Sequence, residues 1–105
     1  MAVDDFRINA RLRELLGRFW IDLQGLRYGA VGRIVYLHGR FDKVRAPEPT
    51  GPDLLRRSRP ERISENMALL ERIEDEIRRD PLVHDVIFRL ENFRKVDGKW
   101  VSTGA

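Results

Sequence analysis

Cysteine is absent from this 105-residue chain, and lysine, histidine and long apolar runs are scarce. Without cysteine there is no disulfide framework, no thiolate zinc site, no cysteine nucleophile and no iron–sulfur cluster. A reducing compartment is compatible with that composition. The two histidines, His38 and His84, stand in no HxxxH, HxH or HExxH spacing, so the expectation is no metal site and no cofactor. The uninterrupted apolar stretches are only a few residues long, against the ~20 needed to span a bilayer as a helix. At the N-terminus Asp4 and Asp5 occupy the place where a secretory signal carries positive charge, and no apolar segment follows. The expected location is therefore cytoplasmic, or envelope-associated if the chain is a fragment of an exported protein.

What is abundant is arginine. Of 20 basic residues 17 are arginine, against 17 acidic residues, for a net charge of +3. Guanidinium pairs bidentately with phosphate and carboxylate, which suits phosphate backbones and anionic lipid. Genomic base composition gives the same bias with no functional meaning, and a net charge this small speaks to solubility rather than fold. The hydrophobic fraction of 42% is enough for one core, since a chain of this size buries roughly 60 to 70% of its unfolded surface. One domain over residues 1–105 is expected.

The first helix is expected from Asp4 as N-cap, with Val3 and Ile8 as a hydrophobic staple and Leu12, Leu15, Leu16, Phe19 and Leu23 at helical spacing. Gly17 offers an alternative stop, but the spacing favours continuation to about Gln24. From Leu26 the period becomes two. Strands over 26–31 and 34–42 flank Gly32-Arg33 as a two-residue hairpin turn. Residues 45–60 hold four of the five prolines and are expected as a flexible Pro/Arg-rich loop. Its far end carries the one local charge cluster, Arg56, Arg57, Arg59 and Arg62, beside Leu54 and Leu55.

A second amphipathic helix is expected from Pro60, with Ile63, Met67, Leu70, Ile73 and Ile77 on its apolar face and Pro81 beyond its end. Glu74–Arg78 and Asp75–Arg79 are spaced as i,i+4 ion pairs. The acids Glu71, Glu74, Asp75 and Glu76 read as its solvated side. Val86, Phe88 and Leu90 then mark a third strand, Asp97-Gly98 a type I′ turn into a short hairpin, and residues 102–105 a frayed tail. The fold class is α+β: two amphipathic helices on one face of a three- to four-stranded mixed sheet, in the order αββαβ(β).

This order, with Val35-x-Leu37-x-Gly39-x-Phe41 in the second strand and Leu82-Val83-x-Asp85-Val86-x-x-x-Leu90 leading into the third, resembles the BON domain, a small bacterial αββαβ module. The chain would be a divergent member with a Pro/Arg-rich insertion. The resemblance covers most of residues 5–92 and rests on short, mostly structural motifs. It implies a non-enzymatic binding module that contacts anionic phospholipid or an envelope protein partner.

The residues themselves supply no catalytic constellation. His38 and His84 each have an acid nearby in sequence, Asp42 and Asp85, but Ser58, Ser64 and Ser102 lack a glycine elbow and Gly25, Gly29 and Gly32 open no helix. Two binding candidates remain. The first is the basic-apolar segment Leu54, Leu55, Arg56, Arg57, Arg59 and Arg62, suited to anionic headgroups or nucleic-acid phosphate, or simply solvated. The second is the outer face of the sheet, with Ile34, Tyr36 and Ile87 and with Phe93 and Trp100 as further members, which invites a homodimer, a partner, or cover by the loop or terminal hairpin. Nucleic acid, with Tyr28, Tyr36 or Trp100 as stacking platforms, is the alternative to lipid.

Overall fold

The computed structural model describes residues 3–44 and 59–104. Its elements run α1 (Val3–Arg18), β1 (Leu26–Val31), β2 (Ile34–Gly39), α2 (Arg59–Arg79), β3 (Asp85–Leu90), β4 (Phe93–Val96) and β5 (Lys99–Ser102). The expected α+β order is found, closed by a terminal hairpin. β2 is central, antiparallel to β1 and parallel to β3, while β4 and β5 pair only with each other in a second small sheet.

Helix α1 is shorter than the apolar spacing suggests. Trp20 takes a left-handed φ of 58°, Ile21 N donates to Leu16 O at 3.0 Å and Trp20 N to Gly17 O at 3.1 Å. That pair of bonds is a Schellman stop with Trp20 at C′. Ile21 and Leu16, the residues such a motif brings into contact, are both buried. Phe19 and Leu23 therefore lie beyond the helix. At its other end α1 already includes Val3 and Asp4, so Asp4 is not the cap, and Val3 is exposed rather than stapled on Ile8.

The β1–β2 turn is anchored from both sides. Gly32 and Arg33 have φ of 58° and 65°, the type I′ geometry that matches strand twist. Arginine in that conformation is strained. The buried Asp5 carboxylate of α1 accepts the Gly32 and Arg33 amides at 3.0 and 2.8 Å. The Arg33 guanidinium donates to Leu82 O at 2.7 Å and Pro81 O at 3.1 Å. One turn thus ties α1 to the α2–β3 connection.

β2 ends at Gly39 rather than running to 42. Gly39 has φ 109°, and a Cβ there would collide with Gly25 O. Past the bend the extended chain finds other partners. Asn92, 6% exposed, replaces a strand neighbour for Phe41: its Oδ1 accepts Phe41 N at 3.0 Å and its Nδ2 donates to Phe41 O at 2.6 Å. Ile21 and Lys43 then form an isolated bridge.

The core lies between the sheet's inner face and the helices: Ile8, Leu12 and Leu16 of α1, Leu26 and Ala30 of β1, Val35 and Leu37 of β2, Leu70, Ile73 and Ile77 of α2, and Val86 of β3. Phe41 meets Phe93 edge-on at 6.3 Å. The tail is held further than expected, because Ser102 closes β5 and Thr103 donates to Asn92 O at 3.0 Å and Glu91 O at 2.7 Å. Gly39→Ala combines a left-handed φ with a backbone collision and is expected to destabilise the fold by about 3 kcal/mol in urea unfolding.

Candidate functional site

Two surfaces can be built from the strand register and from the ends of the 45–58 segment. On the sheet, residues pointing away from the helices form three rows: Arg27, His38 and Arg89; Gly29, Tyr36 and Ile87; Val31, Ile34 and Asp85. Ile34 is 39% exposed, Ile87 42% and Val31 70%, so neither a helix nor the terminal hairpin covers this face. Gly29 lets Tyr36 lie down: a Cβ at Gly29 would stand 2.6 Å from the Tyr36 hydroxyl and 3.0 Å from its ring edge. The Tyr36 ring is thus laid across β1, with the His38 ring beside it at 5.2 Å and tilted by 52°. Among the described residues the side chains of Arg27 and Arg89 have no ion-pair or hydrogen-bond partner.

Phe93 and Trp100 belong to neither that face nor the surface. They are 2% and 9% exposed, because β4–β5 packs against α2 on the helix side. Trp100 sits edge-on to Phe88 at 4.8 Å, and its indole N–H donates to Glu74 at 3.2 Å. Tyr28, in register with Leu37 on the inner face, is packed against the core. Of the three proposed aromatic platforms only Tyr36 lies on the outer face.

Glu74 also departs from expectation. It is 4% exposed, not solvated, and its carboxylate gathers Lys95 Nζ at 2.7 and 2.8 Å, Arg78 Nε at 3.0 Å and the Trp100 indole. Burial pushes its pKa up, but the hydrogen bonds from Lys95 and Arg78, the Lys95 charge and the Trp100 N–H outweigh it and hold the carboxyl below its ordinary value. The Asp75–Arg79 pair does not form. Elsewhere ion pairs run between elements: Arg11–Asp80 at 2.7 Å and Arg18–Glu76 span the seam between α1 and α2, over a groove of about 230 Å³ floored by Ile8, Leu12, Leu15 and Ile77.

The second surface stands where α1 stops. Trp20 is 68% and Val44 50% exposed, and they face each other across the chain pairing that surrounds Ile21–Lys43, with Val44 N donating to Trp20 O at 2.6 Å. Lys43 pairs with Glu65 of α2 at 3.0 Å, and Asn66 donates to Asp42 at 3.0 Å. Those contacts tie the chain at Asp42 and Lys43 to α2 at Glu65 and Asn66. Leu54, Leu55, Arg56 and Arg57 lie outside the described residues; Arg59 contributes its backbone as the first residue of α2, and Arg62 is half-buried on that helix.

His38 and His84 are not brought together. His38 is half-buried on the outer face of β2 and His84 is exposed before β3, its amide bonded to Arg33 O. Asp42 holds Asn66 and the Lys43 amide, and Asp85 the Val86 amide with Arg78 at 3.4 Å. Among the described residues no group of three or more His, Asp or Glu converges as metal ligands, and no helix is long and apolar enough to cross a membrane. Against family models, curated proteins and solved structures the chain finds no match.

Sequence reasoning missed Glu74, Asn92, Asp5 and Trp20. For Glu74 the available signal was weak: it follows Ile73 and falls four residues after Leu70, close to the edge of the apolar stripe. Glu74→Gln keeps the shape and loses the charge, and is expected to cost about 2 kcal/mol at neutral pH, the scale of hydrogen bonds to a charged group. The folded pKa is depressed, so this stabilisation is present above the unfolded carboxyl value of about 4.3 and is lost as pH falls through the lower folded value. Urea unfolding at a series of pH values should show the gap between the wild type and Glu74→Gln closing on acidification below that point.

Proposed function

We propose that the chain is a non-enzymatic, BON-like binding module that seats on anionic phospholipid through Trp20, Val44 and the arginines of residues 56–62. The observation that carries the reading is Trp20: a large amphipathic ring, 68% exposed, standing at a Schellman stop instead of being packed away. Tryptophan favours the level of lipid headgroups, where its ring is half in hydrocarbon and its N–H stays wet. Val44 adds apolar area beside it. The contacts of Lys43 with Glu65 and Asp42 with Asn66 fasten the chain beside Val44 to α2. Arg56, Arg57, Arg59 and Arg62 supply attraction of about 1 kcal/mol each near an anionic surface, with Leu54 and Leu55 as apolar partners. The αββαβ order also agrees with the family resemblance.

A peripheral attachment of this kind needs two signals, charge and an inserted apolar group, since either alone gives weak binding. Co-sedimentation with anionic and zwitterionic vesicles tests it. Binding is expected on anionic vesicles only, reduced about tenfold in Trp20→Ala, whose lost apolar burial is of order 1.4 kcal/mol, and at least a hundredfold in the Arg56→Glu/Arg57→Glu/Arg59→Glu variant. Equal binding to both vesicle types, or variants that bind like the wild type, would remove the lipid reading and leave a protein partner for this surface.

A further inference from the structure

The outer face of the sheet is independent of the Trp20 surface, and its make-up points to a different ligand. We infer that this face binds single-stranded nucleic acid, with Tyr36 as the stacking platform and Arg27 and Arg89 as phosphate contacts. Three features of the sheet carry it.

The first is the ring. Tyr36 lies flat because its neighbour on β1 is Gly29; any larger residue there would lift it. A tyrosine laid on a sheet has one face against the backbone and the other turned outward, and every base has a π-face to place on it. His38, tilted at 52°, flanks the platform without capping it in parallel.

The second feature is charge. Arg27, His38 and Arg89 stand in one row across all three strands. The two arginines are separated by two strand spacings, about 10 Å, and their row is about 7 Å along the strands from Tyr36. Both arginines are exposed, and among the described residues neither is committed to a carboxylate. Within the three rows the one acid, Asp85, stands farthest from the arginines and is engaged by Arg78 at 3.4 Å. The cationic row and the ring therefore meet an anionic, base-bearing strand better than a neutral peptide.

The third feature is size, which argues against a second copy of the chain. Three strands of six residues present roughly 14 by 20 Å, or about 300 Å². A stable interface covers about 800 Å² per partner. Two or three stacked nucleotides fit the smaller area, as on other single-strand-binding sheets.

Fluorescence anisotropy with short labelled oligo(dT) and oligo(U) tests the inference, alongside a light-scattering mass for each variant. Expected is a complex that weakens with salt, with a log–log slope near −1.4 from two phosphate contacts. Tyr36→Leu should weaken it about tenfold with that slope unchanged. Arg27→Glu/Arg89→Glu should remove the salt dependence and the binding. Gly29→Val, which lifts the ring without deleting it, should act like Tyr36→Leu, and circular dichroism separates its effect on binding from a loss of folding. The Arg56→Glu/Arg57→Glu/Arg59→Glu variant should bind oligonucleotide normally, whatever it does on vesicles. No anisotropy change, or binding lost in that loop variant and kept in Arg27→Glu/Arg89→Glu, would overturn the proposal. So would a dimer mass that reverts to monomer in Tyr36→Leu, which would assign the face to a second copy.

Discussion

The Glu74 carboxylate is the contact that fixes how the last third of the chain is arranged. It is nearly dry, and a dry charge is tolerated only where partners satisfy it. Arg78 comes from its own helix, while Lys95 and Trp100 come from β4 and β5. The hairpin is therefore drawn onto α2, and Trp100 slots edge-on against Phe88 of the inner face. Lys95 also passes over the Trp100 ring at 5.7 Å, so the same cation serves the carboxylate and the indole.

With the hairpin committed to the helix side, nothing in the described chain closes over the other side of β1–β2–β3. The sheet has one thoroughly buried face and one with Tyr36, Ile34, Ile87 and two uncommitted arginines. Asymmetry of this kind is ordinary in antiparallel sheets, but the central pair here, β2–β3, is parallel, and parallel pairs usually have both faces covered. The Asp5 and Arg33 contacts also matter in this respect, because they lock the β1–β2 turn to α1 and to the α2–β3 connection and so set the register that lines up Arg27, His38 and Arg89.

Much of the fold is legible in the sequence because it is periodic. The change of apolar spacing at Leu26 marks the hairpin, Gly32-Arg33 and Asp97-Gly98 mark the turns, and Pro60 and Pro81 bracket α2. The errors have local physical causes. α1 stops early because Trp20, a residue that seldom adopts left-handed φ, does so when Ile21 and Leu16 are buried. β2 stops at Gly39 because its close approach to Gly25 bends the chain, and Asn92 then imitates a strand by side chain alone, which no periodicity records. Glu74 reads as a surface acid because two of its three partners, Lys95 and Trp100, arrive from a hairpin 21 and 26 residues away. Of the two surfaces, Ile34, Tyr36 and Ile87 were readable from alternation. The flat Tyr36 ring and the exposed Trp20 depend on Gly29 and on the helix stop, both of which are tertiary.

The two tryptophans are opposites: Trp100 is locked under the hairpin by Glu74, and Trp20 stands exposed at the end of α1. Hydroxyl-radical footprinting read by mass spectrometry measures this directly on the intact chain. Rapid oxidation of Trp20 is expected with Trp100 and Phe93 protected, and Trp100 becoming reactive in Glu74→Gln. Trp100 oxidised as fast as Trp20 in the folded wild type would contradict it, placing the hairpin off the helix layer and free to cover the sheet's outer face.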